Sequence, residues 1–140
     1  MIELTRSVEF SASHRLHNPA LSDEENRDIF GVCNNLHGHG HNYVLDVTLR
    51  GEVDPKTGMV MDLNHLHGLL DELIVKELDH KHFNEDVSWL KGSVTTAETV
   101  IAAMWTRLSD PLEGKLHHLR LYESRHNFVD YFGPDQASIS

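Results

Sequence analysis

Cysteine is nearly absent from this chain. Its 140 residues include one, Cys33, which excludes an internal disulfide and leaves a thiol free for another task. A lone cysteine is more often a small buried hydrophobe. No apolar run approaches the roughly 20 residues needed to cross a bilayer. The opening M-I-E-L-T-R-S-V-E-F lacks the basic start and apolar stretch of a secretion signal, so the protein is expected to stay in the cytoplasm with no membrane partner. Positive charge is also scarce. Twelve Lys and Arg face 22 Asp and Glu, giving a net charge of −10, so a nucleic acid would have to bind against the overall field and is not expected as a partner. Repeats and low-complexity tracts are missing too, and the length fits one domain, residues 1–140.

Histidine, by contrast, is abundant. Protonating all twelve would carry the net charge from −10 to +2, so metal binding and pH should both matter. The chain is organised around C-N-N-L-H-G-H-G-H-N-Y, Cys33 to Tyr43, where histidines alternate with glycines. If the end of this run is extended, His39 and His41 project from one face. Their Cα atoms then lie roughly 6.5 to 7 Å apart, two strand rises, and two imidazoles can converge on one ion. Nitrogen ligands without a carboxylate or thiolate cluster suit zinc first, and a catalytic zinc takes about three protein ligands and keeps one position open. His14 is the candidate third ligand. Gly38 and Gly40 let the backbone crowd the ion. The same run can be parsed with His37 and His39 as the pair.

Residues 2–10 read as a first strand, with Ile2, Leu4, Val8 and Phe10 on one parity. Ser22 and Glu25 form a capping-box pattern for one or two helical turns through Ile29, stopped at Gly31. Tyr43, Leu45, Val47 and Leu49 alternate in a second strand paired with the first. D-P-K-T-G at 54–58 is a turn, and Asp62 caps a helix running to about Leu78. D-H-K-H-F-N at 79–84 is a loop. Thr95 and Glu98 form a second capping box, for a helix closed by Pro111 and Gly114. Leu116–Glu123 and Phe128–Phe132 form a hairpin, and D-Q-A-S-I-S at the end looks loose. This order predicts an α+β domain with helices on one face of an antiparallel sheet.

Three further groups could carry chemistry. A thiol beside a metal and imidazoles yields the thiolate that a base or nucleophile requires, which makes Cys33 a candidate. Asp79 can orient His80 and stabilise its protonated form, although such a pair at a helix end is more often a dipole-facing His with a solvated neighbour. Glu123 ends a strand whose same-parity residues are apolar, and a carboxylate there calls for a partner. On this context alone a frayed strand end in water is the better account. Thr95 and Thr96 read first as a cap, with Thr96 a second candidate for ligand contact. The remaining histidines read as ordinary surface or core residues.

Six pieces occur in one order: F-S-A-S-H-R-L-H, C-N-N-x-x-G-H-G-H-N-Y, D-P-K-T-G-M-V-M-D-L, L-D-H-K, T-A-E and L-Y-E. Over residues 8–123 this resembles the 6-pyruvoyl-tetrahydropterin synthase family and its 6-carboxytetrahydropterin relatives. The resemblance implies a tunnelling fold (T-fold), with a four-stranded antiparallel sheet carrying two helices on one face. It also implies assembly into a homohexamer, a dimer of trimers, with active sites between subunits. By motif position it makes His14, His39 and His41 the ligands of Zn2+, Cys33 the catalytic thiol, and Asp79 with His80 a proton relay. Glu123 would grip the guanidine-like edge of a pterin, with Thr96 beside it. The implied substrate is 7,8-dihydroneopterin triphosphate. In the pyruvoyl branch triphosphate is eliminated and the side chain rearranges without an external reductant; in the carboxy branch, of the queuosine pathway, acetaldehyde is lost. A reading from another class is a non-catalytic zinc- or pterin-binding protein. Arg15, Lys81 and Lys91 are the nearby cations for a triphosphate. The chain departs from the family pattern in S-R-H-N-F-V-D after Glu123 and at Ala97.

Overall fold

A computed structural model describes residues 1–134; the tail expected to be loose, 135–140, lies outside the described residues. The first strand, β1 (Ile2–His14), pairs antiparallel with β2 (His39–Gly51) over thirteen residues, from Ile2 opposite Gly51 to His14 opposite His39. Strand β1 extends four residues past its expected end. Ser11 and Ser13 point outward while Ala12 and His14 are buried, so the alternation continues where small and polar residues hide it from a hydrophobicity pattern. Its buried face begins at Val8, and Ile2 is exposed.

Helix α1 (Asp23–Phe30) begins at the expected capping box. Ser22 Oγ accepts from the Glu25 amide and the Glu25 carboxylate accepts from the Ser22 amide, both at 3.1 Å. Gly31 at φ +57° follows it, and a 3₁₀ turn spans Gly31–Asn34. Asp62 caps α2 (Leu63–Leu70) by accepting from the Asn64 amide. The helical run continues through a π turn at Asp71–Val75 into α3 (Lys76–Leu78). Leu66, Leu70, Ile74 and Leu78 are fully buried. Four-residue spacing drifts about 40° per step in a regular α-helix, and the wide turn absorbs part of that drift.

Two expectations are corrected. The stretch 79–84 is not wholly loop: β3 (Lys81–His82) pairs in parallel with Ala12 and Ser13 of β1, and α4 (Phe83–Asp86) follows directly. The sheet of the described residues therefore has five strands rather than four, in the order β3-β1-β2-β4-β5, with β4 (Leu116–Tyr122) and β5 (Phe128–Tyr131) forming the expected hairpin. The second correction concerns α5 (Ala97–Ser109). Its cap is Thr96, whose hydroxyl accepts from the Thr99 amide, and not Thr95.

The α2–α3 run packs on β1, and α5 packs on β4 and β5. They cover the face bearing Phe10, Tyr43, Leu45, Val47, Leu119 and Leu121, all in one buried cluster. The opposite face is polar, with Thr5 bonded to Thr48, Ser11 to Asn42 and Arg120 to Asp130. This is the expected α+β class.

Candidate metal centre

Three imidazoles meet at the end of the β1/β2 ladder. His14 lies directly opposite His39, and Ala12, with its short side chain, lies opposite His41. All four occupy the core face, and Ala12 leaves room for the ring across from it. Ring centroids are 4.7 Å apart for His14 and His39, 4.8 Å for His39 and His41, and 5.2 Å for His14 and His41. One nitrogen from each lies within 4.8 Å of the other two. A tetrahedral ion with bonds of about 2.0–2.1 Å spaces its nitrogens by about 3.3 Å, so modest ring rotations close the group around an ion. His37 is exposed and outside the group, which selects the His39/His41 parse.

The tautomer of His14 is fixed by its outer neighbour. The Nδ1–H donates to the Thr95 carbonyl at 2.7 Å, since a carbonyl oxygen can only accept. Nε2 is therefore the lone-pair nitrogen, and it is buried without a hydrogen-bond partner; His41 Nε2 is in the same condition. Two unpartnered buried nitrogens turned toward one point are costly unless an ion takes them up. Burial lowers the proton affinity of both rings below the ordinary imidazole range, although the Thr95 carbonyl opposes this for His14 and Glu123 opposes it for both. Neutral imidazole is the form that binds metal. Thr95 is itself held by donating to Asn84 Oδ1, and Asn84 also bonds both the amide and the carbonyl of Arg15. Sequence reading missed the roles of Thr95 and Asn84. A backbone carbonyl acceptor leaves no side-chain signature to find.

The two glycines do different work. Gly38 has φ +75°, and a Cβ there would meet the His14 carbonyl oxygen at 2.5 Å, whereas at Gly40 it would meet only the Ala12 oxygen at 3.6 Å, an ordinary contact. Gly38→Ala should lower the melting temperature by several degrees, because left-handed backbone costs a residue with Cβ about 1–2 kcal/mol before the clash is counted. Gly40→Ala should melt within about a degree of wild type. Equal losses in a thermal scan of the two variants would contradict this difference.

Glu123 follows β4 and is held by its amide, which donates to the Asn127 carbonyl. Its carboxylate lies 3.7 Å from His41 Nε2, so the acid joins the rim of the metal cluster and is not a frayed end. Tyr43 is core, stacked on Phe10 and tilted against Phe83. Its hydroxyl is buried and unpartnered, and burial, then Glu123, pushes its ionisation well above the usual phenol range.

Cys33 sits half-buried on the Gly31–Asn34 turn, outside the nitrogen group. Its carbonyl accepts from the Leu16 amide at 2.9 Å, which ties the thiol-bearing turn to the chain two residues beyond His14. Asp79 and His80 are elsewhere. Asp79 accepts from the Ser11 amide and lies 3.0 Å from His80 Nδ1; the Ser11 amide, followed by His80, holds its carboxyl below the ordinary range. His80 has φ +61°, and its side chain is 82% exposed. Among the described residues its ring contacts none of the three imidazoles. It borders an open cleft of about 510 Å³ floored by Ser11, Ser13, Gly40 and Asn42, of parity opposite to that of the three imidazoles, with His41 also on its lining. Within one chain His80 and His41 share this cleft, but the Asp-His pair makes no ring contact with the imidazole cluster.

A three-imidazole group able to hold a metal ion, on the core face of a mostly antiparallel sheet covered by helices, sits in an α+β protein of the T-fold type. The family model for 6-pyruvoyl tetrahydropterin synthase matches residues 3–134, and the chain belongs to that family. It is 46% identical over 132 residues to the Homo sapiens 6-pyruvoyl tetrahydrobiopterin synthase, covering 94% of this chain and 91% of that one. The solved structure of the Caenorhabditis elegans 6-pyruvoyl tetrahydropterin synthase superposes with a TM-score of 0.90 at 41% identity, over 95% of this chain and 96% of that one. A Synechocystis 6-carboxy-5,6,7,8-tetrahydropterin synthase is 32% identical over 107 residues, 74% of this chain and 80% of that one.

Proposed function

We propose that this protein is a zinc-dependent 6-pyruvoyl-tetrahydropterin synthase, a lyase that converts 7,8-dihydroneopterin triphosphate to 6-pyruvoyl-tetrahydropterin with elimination of triphosphate. The observation that carries this reading is the cluster of His14, His39 and His41 in a chain of this family. Relatives named for the pyruvoyl reaction share more of their sequence with this chain than two named for the carboxy reaction. The donor set fits zinc: neutral nitrogens, three in number, with one held in its tautomer by a carbonyl. Zinc bound there polarises a substrate oxygen and acidifies the neighbouring C–H.

The chain's own residues then divide the work. Cys33 as thiolate takes the carbon-bound proton and returns it at the neighbouring carbon, so the side-chain carbons are oxidised as the ring is reduced. Asp79 holds His80 for proton transfer to and from the side-chain oxygens. Glu123 accepts from the guanidine-like edge of the pterin, with Thr96 nearby. Because the Asp79–His80 pair of one chain stands apart from that chain's imidazoles, the reading requires a second copy to bring its pair to the cluster. That requirement supports an assembly with sites between subunits, which the reading takes to be a homohexamer in the cytoplasm.

The test is incubation of the zinc-loaded protein with 7,8-dihydroneopterin triphosphate. Triphosphate release with formation of the pyruvoyl product and no acetaldehyde is expected. Acetaldehyde would move the protein to the carboxy branch, and absence of any turnover by zinc-loaded protein would leave a binding protein.

A further inference from the structure

The mechanism above leaves unused an open cleft of about 720 Å³ between α1, the Gly31–Asn34 turn and the segment leaving β1. Two guanidinium groups and an imidazole line it, from Arg15, Arg27 and His17. In a chain of net charge −10, their pairing is informative. Arg15 spends its Nε on the Asn34 carbonyl at 3.0 Å, and among the described residues its two terminal amino groups have no bonding partner. Arg27 stands four residues after Asp23, a spacing at which helical charges commonly pair, yet among the described residues its side chain makes no ion pair or hydrogen bond.

The third group is oriented by a buried amide. Asn34 is 6% exposed, and its Nδ2 donates to the Leu16 carbonyl at 2.7 Å, which fixes which end of the amide is nitrogen. The same Nδ2 lies 3.0 Å from His17 Nδ1, so that ring nitrogen accepts and the proton rests on Nε2. His17 is thereby set as a donor. The cleft also adjoins the proposed chemistry: Arg15 follows the ligand His14 and Asn34 follows Cys33.

We infer that this cleft seats a polyphosphate: Arg15 and Arg27 contact the phosphoryl oxygens through charge-assisted hydrogen bonds, and His17 donates from Nε2. The guanidinium fork suits such oxygens, and local cations are what an acidic protein needs to hold a polyanion. The inference rests on the pyruvoyl reading for its natural ligand, the triphosphate tail of the substrate. Lys81 borders the other cleft, with His80. Asp23 also lines the cleft, and its carboxylate opposes an anion there.

The test uses the zinc-loaded protein with inorganic triphosphate as probe, by calorimetry at low salt and as an inhibitor of turnover. Wild type should bind it, with affinity falling as salt rises. Arg27→Leu and His17→Ala should each weaken binding roughly three- to tenfold, the scale of one charge-assisted contact, and should raise KM by a similar factor. Arg27→Lys should recover most of the loss, and Asp23→Asn should tighten binding, an outcome that damage to the fold would not give. No binding by wild type, or unchanged affinity in Arg27→Leu and Asp23→Asn, would overturn the inference even if turnover is normal. The expected pattern in a protein that fails to turn over dihydroneopterin triphosphate would keep the cleft and discard the pyruvoyl reading.

Discussion

His39→Ala is expected to fold normally, to emerge from dialysis with well under one zinc per chain, and to show no turnover above background. An outer partner of a metal ligand is already worth about 10–100-fold in affinity, so removing one of three nitrogens should cost more than about a hundredfold. His39 is the right place for this experiment. His14 is 1% exposed and packs against Phe83 and Tyr43, so truncating it would also open a cavity in the core. His39 begins β2 and is only partly buried. Metal analysis and circular dichroism on one sample separate lost ligation from lost fold. Full zinc occupancy in this variant would refute the three-imidazole site.

Cys33→Ala should behave in the opposite way toward the metal. The thiol is outside the nitrogen group, so zinc content should match wild type while kcat falls by about 10²–10⁴, the usual contribution of a positioned acid or base. The residue is half-buried on a short turn whose anchor is its backbone carbonyl, an interaction alanine keeps. A kcat within twofold of wild type at equal zinc content would remove Cys33 from the mechanism.

The imidazole group was legible in part: strand periodicity puts His39 and His41 on one face and His14 continues the parity of Val8 and Phe10, but the same periodicity admits His37, and the choice of pair came from the family resemblance. What supports the group was not legible. The Thr95 carbonyl that fixes His14 is main chain, and Thr95 beside Thr96 reads as a cap. The structure gives the cap to Thr96, its hydroxyl already engaged by Thr99. Gly38 and Gly40 look equivalent in an alternating run, yet only at Gly38 would a Cβ clash with a neighbouring carbonyl. Strand β3 has two residues, too few for any periodicity, so the fifth strand could not be read. The resemblance implies a relay role for Asp79 and His80, and their exposed position apart from the imidazole rings has no signature in the sequence.

The placement of the imidazoles at one end of a thirteen-rung ladder has a consequence for how the chain matures. A single-residue slip between β1 and β2 would flip one strand's side chains to the far surface, parting His14 from its two companions. An ion that demands all three nitrogens together therefore rewards only chains zipped in the native alignment. Capture of a metal by these three nitrogens would double as a check on strand assembly.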